Sequence, residues 1–188
     1  METETYKGYT IAIEHDTDAE SPAEWGSYTI VTFHTGNITD VTNIEKYAFD
    51  SGKLKPWVGA KMRAGKMFAI SYSSHGPMSN YGAMYGSANL DDIDGFIIFT
   101  DEYAKNFSAY EDRYKMAEQD METYTQWANG EVYGYDITGI KGYEFEDGSC
   151  WGFYGYEDVI DEAKRAIDYH ISIDRPNFHT VTAHEVHK

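Results

Sequence analysis

Cysteine is nearly absent: Cys150 stands alone among 188 residues. No intrachain disulfide framework can form, and the reducing cytoplasm is the expected compartment. Basic residues are also scarce, with 15 Lys and Arg against 32 Asp and Glu and a formal net charge of −17. Duplex DNA is held largely by Lys and Arg neutralising phosphates, so direct duplex binding is not expected, nor is attraction to an anionic membrane. No apolar run approaches the ~18 residues that a membrane helix needs. The opening METETYKGYT has neither a basic n-region nor an apolar h-region, so no export signal is visible. Only four prolines occur, and no Pro-, Gly- or Ser-rich linker divides the chain. There is no repeat at a fixed period. There is also no phosphate loop or dinucleotide fingerprint, because the glycines of YGYDITGIKGYEFEDG fall at turns between strands and open no helix.

What is present points to a folded domain. Hydrophobic residues make up 41% and aromatics 16%, too many for a disordered acidic tail. Tyr9, Ile11 and Ile13 alternate with polar neighbours as in a half-buried strand. HDTDAESPAE, from His15 to Glu24, is a turn, and a β-rich run follows over Tyr28 to Phe33. These two runs are expected to pair. Met67 to Tyr72 and Phe96 to Phe99 read as further strands, with Ser73 to Asp92 a long Gly-, Ser- and Asn-rich loop between them. Tyr114, Ala117, Met121 and Tyr124 share one face of a helix over about 109–127, which Asn129-Gly130 stops. Strand signals return at 131–138, at Tyr143 and Phe145, and at 149–154, with Asp147-Gly148 as a hairpin turn. Ile160, Ala163, Ile167 and His170 or Ile171 set out a second amphipathic helix that Pro176 ends. The expected fold is α+β: a single domain over 1–176, an antiparallel sheet of five to seven strands with two main helices on one face, and a flexible tail over 177–188.

The candidate catalytic and metal groups are thin. His184 and His187 form HExH in the tail, not the HExxH spacing that puts two imidazoles one helical turn apart. His15, Asp16 and Asp18 lack the glycine and terminal Glu of a calcium loop, and read as a solvated turn. Ser73, Ser74 and His75 are adjacent, whereas a nucleophile and its base seldom are. Cys150 lies in an acidic, aromatic stretch that does not lower a thiol pKa, and reads as a buried strand residue. No metal and no cofactor is called for.

Charge is unevenly distributed. Lys46 to Lys66 holds six bases against Asp50 alone, whereas Met67 to Glu162 carries 19 acids and four bases. Glu111, Glu118 and Glu122 fall together on one face of the first helix, and Glu144, Glu146 and Asp147 cluster at the expected hairpin.

TYKGYTIAIEHDTDAESPAEW with its S-P-x-E-W pattern, and the later YTQWANGEVYGYDI, GSCWGFYG and EDVIDEAKRAID, resemble a family of small accessory proteins of phages and prophages. The stretch from SYSSHG to DGFIIFTDEYA fits the same order, while Gly36 to Gly65 does not match. The resemblance implies no catalytic residues. For a small, acidic phage protein it implies inhibition of a host defence system that targets nucleic acid, such as a restriction enzyme or an RNA-guided nuclease. The acids would occupy the basic channel that otherwise holds phosphates, as a DNA mimic. The expected partner is that nuclease or its complex with guide RNA. Glu111, Glu118, Glu122, Glu144, Glu146 and Asp147 would meet its bases. Lys53, Lys55, Lys61, Arg63 and Lys66 would contact the guide RNA, or pair with the acidic half of a second copy in a homodimer. The alternative is an enzyme or sponge for a nucleotide or signalling molecule, with a pocket at His75, Asn80 and Tyr81.

Overall fold

The computed structural model describes residues 2–32, 48–50, 53–85, 93–139 and 148–173. In chain order the elements are β1 (Glu2–Tyr6), β2 (Tyr9–His15), a 3-10 turn (Pro22–Glu24), β3 (Tyr28–Thr32), β4 (Phe49–Asp50), β5 (Lys53–Leu54), α1 (Pro56–Arg63), β6 (Met67–His75), β7 (Met78–Ala83), β8 (Gly95–Phe99), α2 (Asp101–Ala104), α3 (Tyr110–Ala128), β9 (Val132–Thr138), β10 (Ser149–Tyr154) and α4 (Tyr156–Ile173). The class is α+β; among the described residues every strand pairing is antiparallel, and α3 and α4 are the two long amphipathic helices. Among the described residues the strands form two four-stranded sheets and the two-stranded pair β4-β5, where one sheet of five to seven strands was expected. Contacts separate the chain into two compact units, Met1–Thr17 with Val132–Lys188, and Asp18–Glu131.

The first unit holds the sheet β1-β2-β9-β10. Tyr9, Ile11 and Ile13 on β2 and Tyr135 and Ile137 on β9 point to one face, where Val159, Ala163 and Ile167 of α4 cover them. Each Ile or Val side chain so buried is worth about 1.5–3 kcal/mol. The Tyr9 strand therefore pairs with β1 and β9, not with the Tyr28 strand. Its alternation fixed the buried face but carried no information about the partner.

The second unit holds the sheet β3-β8-β6-β7. On one face Tyr28, Ile30, Phe68, Ile70, Ile97 and Phe99 meet Ala117, Met121 and Tyr124 of α3. On the other, Val31, Met67, Ala69, Phe96 and Ile98 meet Val58 of α1. Burial on both faces is why the GFIIF of β8 shows no alternation. Most of the expected loop from Ser73 is a hairpin: β6 continues to His75, turns at Gly76-Pro77, and returns as β7. The tail, Glu144, Glu146, Asp147 and the Tyr143 strand signal lie outside the described residues.

Two of the distinctive motifs have local structural reasons. In S-P-x-E-W, Ser21 caps the 3-10 turn by accepting from the Ala23 N–H, with Pro22 at its first position. In SCWGFYG, Gly152 takes φ +87 at a β-bulge between Trp151 and Phe153. Cys150 is exposed on this edge strand, not buried. Among the described residues β10 has one neighbour, β9, and Cys150 is left to solvent.

Candidate functional site

The buried stripe of α3 turns its opposite face outward. Glu111, Glu118 and Glu122 are all exposed there, at spacings of seven and four residues that align them along the helix. With a rise of 1.5 Å per residue they lie roughly 10 Å and 6 Å apart, with Lys115 between the first two. Glu118 is held in place: the Tyr114 hydroxyl donates to its Oε1 at 2.8 Å and lies 3.2 Å from the Ala83 carbonyl. Burial, then the hydrogen bond to Glu118, pushes the Tyr114 phenol up to about 12, so it stays a donor at neutral pH. Tyr85, 59% exposed, abuts Tyr110 and Tyr114 at ring separations of 5.8 and 4.8 Å.

Lys53, Lys55, Lys61 and Arg63 lie on β5 and around α1, the elements that pack on the other face of the same sheet through Leu54 and Val58. Lys53 is on β5, Lys55 precedes α1, and Lys61 and Arg63 form its last turn, where cations complement the helix dipole. Lys66 binds Asp101 at 2.9 Å, and Lys66, Lys105 and Lys61 together hold that carboxyl below its usual range. Within this unit the sheet thus separates an acidic helix from a basic one.

His75, Asn80 and Tyr81 are not brought together. His75 is exposed at the end of β6 opposite Met78, and Asn80 is exposed on β7. Tyr81 points to the opposite face and is buried against Tyr124, with ring centroids 5.3 Å apart. Among the described residues no group of three His, Cys, Asp or Glu is placed to hold a metal ion.

Sequence reasoning missed Asp120. It lies on the inner flank of α3, and the Tyr103 hydroxyl donates to it at 3.1 and 3.2 Å. Burial raises this carboxyl to about 6 despite the opposing effect of Tyr103.

Comparison with protein-family models, curated proteins and solved structures finds no match in any of the three.

The first unit is the more acidic. Its described residues carry ten carboxylates against Lys7, Lys164 and Arg165. Each of those bases is held in an ion pair, with Asp168, Glu4 and Glu162 respectively. Among the described residues no helix is long and apolar enough to cross a membrane.

Proposed function

We propose that this chain is a phage anti-defence protein that binds stoichiometrically to a host nuclease and occludes the basic surface that holds nucleic acid. The observation that carries this reading is the α3 face, where Glu111, Glu118 and Glu122 are exposed along one stripe and Glu118 is fixed by Tyr114. A carboxylate already held in place loses less conformational freedom on binding than a mobile one. The net charge of −17 steers such a protein toward a basic partner. The row is sparser than one DNA strand, which carries a charge every ~3.4 Å along the axis. Occlusion of a basic channel fits that spacing better than strand-for-strand mimicry. The bases of α1, on the opposite side of the sheet, favour a partner with an acidic component, such as a nuclease carrying its guide RNA.

The test is a titration of nuclease activity with the protein at increasing salt. Inhibition saturates near one equivalent and weakens with ionic strength. Reversing Glu111, Glu118 and Glu122 together to Lys removes it while the melting temperature holds. Full inhibition by the triple variant would eliminate α3 as the contact. Turnover of a nucleotide at substoichiometric protein, lost in His75→Ala, would establish the enzyme reading instead.

A further inference from the structure

The outer face of the β1-β2-β9-β10 sheet, the one α4 does not cover, carries an exposed tryptophan that the α3 proposal does not use. Trp151 is 46% exposed, and its indole lies against the backbone of Gly134 on the neighbouring strand. A Cβ at Gly134 would overlap the Trp151 Cε3 and Cδ2 atoms, so only glycine admits the ring so close. The bulge at Gly152 ends the regular register immediately after Trp151. The indole is therefore supported on one side by backbone and presents nearly half of its surface to solvent. A half-exposed Trp backed by the strand beside it is an anchor for recognition.

The surroundings decide what it recognises. Trp151 pairs with Gly134, and Gly134 pairs with Glu14, so the three form one row across three strands. Paired residues share a face, which puts Glu14, exposed, beyond the indole on the same surface. Two residues further along β9 is Asp136, paired with Ala12 and Ser149, and the Ser149 hydroxyl donates to its carboxylate. Among the described residues no base shares this face: Lys7 is held by Asp168 at the β1–β2 turn, and Lys164 and Arg165 belong to α4. An indole flanked by two carboxylates is complementary to a guanidinium, which stacks on an aromatic face while its N–H groups reach carboxylate oxygens.

We infer that Trp151, Glu14 and Asp136 form a docking site for an arginine side chain of a protein partner. The inference borrows from the proposed function only the expectation that the partner is basic, and it is tested without a nuclease. The probes are acetyl-Gly-Arg-Gly-amide and its lysine and citrulline counterparts, titrated against the full chain by 15N NMR. The indole N–H peak of Trp151 is assigned by its loss in Trp151→Phe. The arginine peptide moves that peak saturably, about fivefold more tightly than the lysine peptide. The citrulline peptide moves it far less, and Glu14→Gln and Asp136→Asn each weaken the arginine peptide several-fold while leaving the spectrum of α4 unchanged. Equal response to citrulline, or indifference to both carboxylate variants, overturns the inference. So does saturation by a neutral trisaccharide such as cellotriose where the arginine peptide fails, which would make Trp151 a sugar platform. A failed peptide titration beside intact nuclease inhibition removes this site alone, and the reverse removes the nuclease reading alone.

Discussion

The side-chain amide of Asn129 pairs with both backbone groups of Ser79, accepting from its N–H at 2.8 Å and donating to its carbonyl at 2.9 Å. One turn earlier on α3, the Thr125 hydroxyl accepts from the Tyr81 N–H at 3.1 Å and lies 3.3 Å from its carbonyl. Four helical residues rise about 6 Å and two strand residues about 6.8 Å, so the two spacings match. The end of α3 thus takes the place of a next strand on the open side of β7, and an edge able to recruit other chains is covered by helix.

Asn129→Ala should therefore destabilise the second unit by about 1–3 kcal/mol, because two partly buried backbone groups lose their partner. Urea denaturation reads the loss, and hydrogen exchange should accelerate at Ser79 ahead of the β6 amides. An unchanged Ser79 exchange rate would mean that the amide pairing does not protect the edge.

Asp120 predicts an inverted pH dependence. Its carboxyl is raised to about 6 in the folded chain from 3.8, so the folded state binds the proton more tightly than the unfolded state. Above about pH 6 both states are ionised and the folded state bears the full cost of the buried charge; as pH falls toward 4 that cost disappears. Asp120→Asn, which keeps an oxygen to accept from Tyr103, should stabilise at pH 7–8 by on the order of 1 kcal/mol after solvent screening. The gain should shrink through pH 6 and vanish near pH 4 in thermal melts. A gain that persists at pH 4 would point to a cause other than titration.

Gly134→Ala should displace the Trp151 indole, since the new methyl takes the space the ring occupies. Trp151 is on an edge strand and has room to swing outward, which keeps the expected cost near ~1 kcal/mol. Trp emission should shift to the red, and the shift should be absent in a Trp151→Phe background.

The sequence was most legible where local pattern and burial coincide. The helix expected over 109–127 is Tyr110–Ala128, Gly130 supplies its left-handed stop at φ +71, and the Ile160, Ala163, Ile167 pattern is α4. The strands at Tyr9, Tyr28, Met67, Phe96 and 149–154 were equally plain. Pairing was not legible, because the partner of the Tyr9 strand, β9, is more than a hundred residues away. β1 escaped notice because ETETY is an edge strand with little to bury, and α1 because PWVGAKMR is eight residues long with Gly59 at its centre. β7 was hidden by its turn: SHGPMSNY has loop composition, and the strand is bounded by β6 on one edge and by Thr125 and Asn129, more than forty residues on, on the other. Of the candidate site, the α3 acids were legible from spacing alone. The Trp151–Gly134 pairing required a cross-strand register that no local window contains.

The last prediction separates charge from its placement. Tyr114→Phe removes no charge, but it frees Glu118 from its 2.8 Å hydrogen bond. The carboxylate must then be ordered by the partner, at a cost of about 0.5–1.5 kcal/mol for one immobilised side chain. Inhibition by Tyr114→Phe should weaken roughly two- to tenfold at low salt, with the same salt slope as the parent because the number of charges is unchanged. Glu111→Gln, which removes a charge from an exposed carboxylate, should instead flatten the salt dependence. If the two variants behave alike, the fixed position of Glu118 contributes nothing, and the α3 face acts only through its net charge.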